Sequence, residues 1–257
     1  MFSSDENLFN FIVFFILVMA FPTFILCQFF TSPYGKHYTS VDSGTTISPP
    51  IAWAFMESPT LWLTFLVFRL GKNYTNPLAF ILISPYLFHY INRTIIYPLR
   101  LRSRSTKNNF PLNIAVTAFI FNLLNAYIQS RWVSHYANYE EDESFWVRFG
   151  IGMGLFGSGM LVNIWADGVL LGLKSQGGGY KIPRGGLFDY VSSPNYLGEI
   201  MEWLGWALMT WSWAGLAFFV YTCANLVPRA VSNHKWYVEK FGEDYPKNRK
   251  AVFPFLY

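Results

Sequence analysis

The chain has 257 residues, of which 53% are hydrophobic, 20% aromatic and only 13% charged. Soluble domains carry roughly 25% charged residues; half that supply, with a mean hydropathy of +0.25, excludes an ordinary soluble domain and points to an integral membrane protein. A scattered net charge of +4 excludes a nucleic-acid binder, and Cys27 and Cys223, both in apolar runs, exclude a disulfide framework.

A helix crossing a bilayer core needs roughly 20 mostly apolar residues. The first such segment, Leu8 to Phe30, is uncharged, and acidic Asp5 and Glu6 precede it where a signal peptide would be basic; it reads as a retained anchor. Further spans are predicted at about Ile51–Leu70, Pro77–Leu99, Pro111–Gln129 and Phe145–Leu173. Two shorter ones follow, at about Tyr196–Trp211 and Ala214–Pro228. With no internal repeat or long linker, the expected fold is all-α: one membrane domain over residues 1–257 with seven transmembrane helices.

Loop charge sets the orientation. Arg100, Arg102, Arg104 and Lys107 follow the third span, Lys174, Lys181 and Arg184 the fifth, and Lys235, Lys240, Lys247, Arg249 and Lys250 lie in the C-terminal tail. The loop after the fourth span is acidic: Glu140, Glu141, Asp142 and Glu143. These charges predict a lumenal N-terminus and a cytosolic C-terminus.

An ionisable side chain at the centre of a membrane helix costs about 2.5–3.5 kcal/mol on insertion scales, so such residues normally face a protein interior. Glu57 lies one turn from Pro59, whose missing N–H leaves a carbonyl free nearby. Tyr90, Arg93 and Tyr97 share one helix face at i, i+3, i+7, where an interfacial aromatic-and-arginine anchor is the competing reading. Asn122, Asn125 and Gln129 repeat that spacing, which suits interhelical hydrogen bonding as well as pocket lining. Asn163 and Asp167 stand at i, i+4, and Glu199 and Glu202 at i, i+3, with Asn195 expected as the N-cap of their helix. Glu202 reads equally as a tie between helices. Beyond the seventh span come Arg229, His234 and Tyr237. Mixed cations, hydroxyls, amides and acids near the cytosolic side predict a pocket for a dinucleotide, and the loop from Gly177 to Gly186, with Lys181 and Arg184, is expected to cover it.

Gly152–Gly157 matches G-x-G-x-x-G but lies inside an apolar span without the strand that a dinucleotide fingerprint requires; close helix packing is the expected role of these glycines. No Cys/His cluster has metal-ligand spacing, and no nucleophile elbow or P-loop is present. Asn73-Tyr-Thr75 is a glycosylation sequon on the predicted lumenal side.

Several stretches resemble the steroid 5α-reductase family, most closely its plant members in brassinosteroid synthesis. They are SPYGKH (Ser32–His37), AWAFMESPTLWLT (Ala52–Thr64), HYINRTIIYPLR (His89–Arg100), VNIWAD (Val162–Asp167), the long block from Tyr180 to Ala207 and the tail from His234 to Tyr257. The C-terminal blocks are shared with reductases of fatty acyl-CoA and other sterols; Glu57 and the HYINRT block narrow the match.

The resemblance implies a multi-pass, monomeric enzyme of the endoplasmic reticulum membrane. It implies NADPH as hydride donor and a 3-oxo-Δ4-steroid as substrate, reduced at C4–C5 to the 5α product, with campest-4-en-3-one the expected sterol. Glu57 and Tyr90 are then the catalytic pair at the C3 carbonyl, with Tyr34 and Trp53 beside the substrate. Arg93, Tyr97, Arg104, Asn163, Asp167, Lys174, Lys181, Asn195, Glu199, His234 and Tyr237 are implied to hold the cofactor, through the N-terminal half for substrate and mainly the C-terminal half for NADPH. Adding hydride to C5 of an enone pushes charge onto the C3 oxygen, so donors are needed there. A carboxyl in a low-dielectric pocket keeps its proton, and a neutral Glu57 is expected. The competing functions are a trans-2-enoyl-CoA reductase of fatty-acid elongation and a non-enzymatic seven-span receptor or carrier.

Overall fold

The computed structural model describes residues 4–38, 44–102, 109–139 and 143–256. Arg104 and Lys107, and the acidic residues Glu140, Glu141 and Asp142, lie outside the described residues.

Nine α-helices occur among the described residues. The first, α1, runs Ser4–Phe29 and turns Phe11, Phe14 and Phe21 outward, an exposed apolar face suited to lipid. Its start is not a free acidic terminus: Asp5 accepts hydrogen bonds from Arg131 Nε at 2.8 Å, Tyr127 at 2.8 Å and Tyr136 at 2.5 Å.

The predicted second span is broken. α2 (Pro49–Glu57) ends where Pro59, which has no N–H to donate, opens α3 (Pro59–Arg69). Glu57 thereby falls at a helix end. The predicted third span is one helical stretch of three parts: α4 (Pro77–Ile91), a wide π turn over Asn92–Ile96, and α5 (Tyr97–Arg102). Pro98 lacks a donor and its ring crowds the carbonyl four residues back, so the chain widens just before it. A two-residue antiparallel ladder, Thr46–Ile47 (β1) against Phe110–Pro111 (β2), ties the chain before α2 to the start of α6 (Leu112–Arg131).

The longest helix, α7 (Glu143–Ser175), packs along α8 (Pro194–Thr210). Glycine makes that contact: a Cβ on Gly198 would stand 2.6 Å from the Gly159 carbonyl, and one on Gly205 2.4 Å from that of Gly152. Within the G-x-G-x-x-G run only Gly152 is so used; Gly154 and Gly157 meet nothing within 4 Å. Pro194 opens α8 at its first turn, making Ser193, not Asn195, the capping position.

The final helix, α9 (Trp213–Phe241), continues well past Pro228, where the sequence predicted a stop. Proline inside a membrane helix is tolerated because neighbouring groups re-satisfy the freed carbonyl. The extra turns carry Arg229, Asn233 and Tyr237 inward. α9 packs against α1 and α8, and the core under this junction is aromatic: Tyr86, Trp203, Trp206 and Phe218.

Five helical segments among the described residues are long and apolar enough to cross a membrane: Ser4–Phe29, Pro49–Arg69, Leu112–Tyr136, Ser144–Ser175 and Trp213–Asp244. The chain is thus an all-α protein of membrane type. The π-interrupted α4–α5 stretch and the 17-residue α8 fall outside that set.

Candidate functional site

A cavity of about 810 Å³ opens between α2, α4, α6, α7, α8 and α9. Its wall takes polar residues from separate helices, so each helix end described above matters to it.

Glu57 and Tyr90 stand on this wall with Trp53 and Tyr34. Both polar groups are held by α6. Asn122 Nδ2 donates to Glu57 Oε2 at 3.0 Å and to the Met56 carbonyl at 2.7 Å. One helical turn on, Asn125 Nδ2 lies 3.5 Å from the Tyr90 hydroxyl. Phe110, brought in by the β1–β2 ladder, stacks on Tyr34 at 4.8 Å between ring centroids.

On the same wall the π turn delivers Arg93, 8% exposed. Its guanidinium lies 3.2 Å from Asp167 on α7 and 3.4 Å from Glu199 on α8, and its carbon sits 4.3 Å from the Trp53 ring centroid. Asn195 donates to the second oxygen of Asp167 at 3.1 Å. Asn163 does not reach the wall but donates to the Asn195 carbonyl at 3.0 Å and to Glu199 at 3.3 Å, behind the residues that do.

Tyr97, Lys174, Lys181 and Tyr237 also line the cavity. Of the glycine-rich loop, Gly179, Tyr180 and Lys181 face it, while Arg184 is exposed away from it. Gly186, at φ +54°, packs under Trp165, where a Cβ would meet the indole at 2.8 Å. Among the residues expected at the cofactor, His234 is off the wall: its ring shares a 2.7 Å hydrogen bond with Ser192 Oγ, which also meets Tyr245 at 2.7 Å. Glu202 takes the interhelical role, at 2.6 Å from His89 Nδ1 and fully buried.

Sequence reasoning missed His89, Lys36, Tyr180 and Tyr196 on this wall. Lys36 places its ammonium 4.1 Å from the Tyr237 ring centroid. In that half-buried position desolvation pushes it down to about 7, and burial likewise lowers neighbouring His37. At the sequon, Asn73 donates its amide nitrogen to the Ala137 carbonyl at 3.0 Å, so the atom that glycosylation would modify is engaged.

Fold and cavity together define a class: a multi-helix membrane protein whose separate helices pool charged and hydrogen-bonding groups in one interior chamber. Residues 108–257 match the 3-oxo-5-alpha-steroid 4-dehydrogenase family. The chain is 94% identical over 257 residues, all of both chains, to the Steroid 5-alpha-reductase DET2 of Solanum lycopersicum. It is 56% identical over 259 residues to that of Arabidopsis thaliana, covering 99% of this chain and 98% of the relative. It is 42% identical over 232 residues to 3-oxo-5-alpha-steroid 4-dehydrogenase 1 of Homo sapiens, covering 88% and 86%. The chain belongs to the 3-oxo-5-alpha-steroid 4-dehydrogenase family, a family of oxidoreductases.

Proposed function

We propose that the chain reduces the C4–C5 double bond of 3-oxo-Δ4-steroids to 5α-3-oxosteroids with NADPH, taking campest-4-en-3-one to 5α-campestan-3-one in brassinosteroid biosynthesis. One observation carries this reading: a single chamber holds a hydrogen-bonding pair, Glu57 and Tyr90, together with the Arg93–Asp167–Glu199 cluster, Trp53 touching Arg93.

The residues fit NADPH. Arg93, Lys36, Lys174, Lys181 and Arg229 on the wall suit phosphates, and Asp167, Asn195 and Glu199 suit hydroxyls and an amide. When bound, NADPH supplies the hydride that adds at C5 of the enone. The chain's own work is at the other end of the conjugated system. Tyr90 donates a hydrogen bond from its phenolic O–H to the C3 oxygen, where negative charge accumulates. Glu57 in its neutral form donates beside it. Preorganised donors of this kind are worth about 10²–10³-fold each in turnover. Trp53 and Tyr34 supply apolar faces for the flat steroid, and the enolate then takes a proton at C4 as the C3 carbonyl re-forms, so that one hydride and one proton add across the double bond.

The topology that serves this chemistry has seven spans, with the N-terminus in the lumen of the endoplasmic reticulum and the C-terminus in the cytosol. Counting α4–α5 and α8 as spans gives the odd number that puts Lys174, Lys181 and the C-terminal lysines on one side. At about 1.5 Å per residue the 17 residues of α8 reach most of a core about 30 Å thick. The whole chain works as one monomeric domain, its N-terminal half mainly facing the steroid and its C-terminal half mainly facing the dinucleotide.

The test is product analysis. Purified protein is incubated with campest-4-en-3-one or with a trans-2-enoyl-CoA, each with NADPH or NADH. The expected result is 5α-campestan-3-one formed with NADPH and no reduction of the thioester. Reduction of the enoyl-CoA instead would assign the chain to fatty-acid elongation, and absence of NADPH binding would favour a receptor or carrier.

A further inference from the structure

Two amides on one stripe of α6, Gln129 and Asn125, form part of a buried hydrogen-bond chain whose direction can be worked out atom by atom. It starts at Trp206 on α8. An indole N–H can only donate, and Trp206 Nε1 does so to Gln129 Oε1 at 2.8 Å. That engages the oxygen of Gln129. Its nitrogen makes the other two bonds, to the Ala214 carbonyl at 2.8 Å and to Asn125 Oδ1 at 3.0 Å. With its oxygen engaged, Asn125 presents its nitrogen to the Tyr90 hydroxyl, 3.5 Å away.

The reverse arrangement is excluded by chemistry. Flipping Gln129 would set its NH₂ against the indole N–H and its oxygen against the Ala214 carbonyl. Trp206, Gln129 and Asn125 are each 0% exposed, so no bulk water is at hand to relieve either clash, and a buried unmade hydrogen bond costs about 1–3 kcal/mol.

The consequence falls on Tyr90. A hydroxyl that must accept from Asn125 cannot spend its own proton there, so that proton is left for the other acceptors Tyr90 faces: the hydroxyl of Tyr86, whose ring packs 4.6 Å away, before a ligand binds, and a ligand oxygen in the cavity when one is bound. Asn122 imposes the same sense on Glu57. The Met56 carbonyl can only accept, so Asn122 Nδ2 faces both it and Glu57 Oε2. A proton on Glu57 then resides on the other oxygen.

We propose that Asn125 and Gln129 are positioning residues, which set the Tyr90 hydroxyl as a hydrogen-bond donor to the C3 oxygen of the steroid. This rests on the reading of Tyr90 as the donor to that oxygen. The amides touch neither substrate nor cofactor; they decide which way a catalytic proton points. Trp206, two amides away from Tyr90 along the hydrogen-bond chain, seeds that direction because it has no acceptor atom to offer.

The experiment uses the full chain in detergent with NADP⁺ and a 3-oxo-Δ4-steroid labelled at its C3 carbonyl. Isotope-edited infrared spectroscopy reads hydrogen-bond donation to the carbonyl without turnover, and kcat and NADPH affinity are measured beside it. Tyr90→Phe gives the reference for a carbonyl without its donor. At a pH where its carboxyl is ionised, Gln129→Glu places an acceptor where Asn125 now finds a donor, so Asn125 turns and Tyr90 donates to it instead. Its carbonyl band should move up to the Tyr90→Phe position and kcat should fall with it, by about 10²-fold, with NADPH affinity unchanged. Asn125→Asp, equal in size, should lose both at high pH and regain both as the introduced carboxyl takes a proton and donates again.

A parental band and kcat in Gln129→Glu overturn the inference. So does a loss in folded Asn125→Asp that ignores pH, which packing alone would give. Should Gln129→Glu fail to fold, Asn125→Asp decides by its pH response. If Tyr90→Phe itself keeps the parental band, the reading of Tyr90 as donor has failed; if Tyr90→Phe shifts and the amide variants do not, only the positioning role has failed.

Discussion

Arg93 and Asp167 meet across two helices at 3.2 Å, both nearly buried, and Glu199 completes a triad 3.4 Å from the same guanidinium. Two carboxylates therefore share one cation on the chamber wall. Removing one partner of a buried ion pair typically costs about 3–5 kcal/mol, because the other charge is left uncompensated. Arg93→Met should lower thermal stability in detergent by that order. Arg93→Lys should recover part of it, since an ammonium lacks the planar fork that spans two acids. Melting curves of the two variants check this; equal curves for Met and Lys would show that the cation does not hold the triad together.

The α7–α8 seam makes a steric prediction. Gly198→Ala would put its methyl 2.6 Å from the Gly159 carbonyl and 2.7 Å from the Asn163 amide nitrogen. Backbone cannot give way as a side-chain tip can, so the helices must part, at a cost of about 1–3 kcal/mol for overpacking. Asn163 holds Glu199 and the Asn195 carbonyl, so NADPH affinity should fall as well as stability. Gly154→Ala, with nothing within 4 Å, is the control and should change neither.

Lys36 predicts a pH dependence outside the helices. Its folded value, about 7, lies below the ordinary 10.5, so between those values the unfolded chain binds more protons than the folded one. Stability of the cofactor-free protein should therefore rise with pH across that window, the penalty of burying the charge being fully present below about 7. Lys36→Met should flatten the rise. A parental slope in Lys36→Met, from melting temperatures taken between the two values, would remove Lys36 as its source.

The apolar spans were legible because lipid leaves no choice: a backbone crossing it must be helical and its outer face apolar. That rule says little about where a helix breaks or stops. Pro59 splits one expected span and Pro228 fails to end another; the two prolines read alike in sequence, and only the packing around each separates them. The polar rows were legible through their cost, and Glu57, Tyr90, Arg93, Asp167 and Glu199 do line one cavity. His234 and Asn195 show the limit: each has the chemistry expected of it, but its partner, Ser192 or Asp167, comes from a distant part of the chain. Lys36 and His89 were overlooked because a lone cation in a loop and a lone histidine in a span carry no spacing to read. The single direction of the amide chain on α6 lay beyond any periodicity, since it depends on which atom of each amide faces which neighbour.

The account stands or falls on the donors at the C3 oxygen. The direct measurement is kcat alongside the NADPH dissociation constant for Tyr90→Phe and Glu57→Gln, on one preparation of each. Turnover should drop about 10²-fold or more in Tyr90→Phe, and substantially in Glu57→Gln, while NADPH binding stays within about twofold, the signature of a group that acts only in the transition state. Matching losses in turnover and in NADPH binding would contradict it.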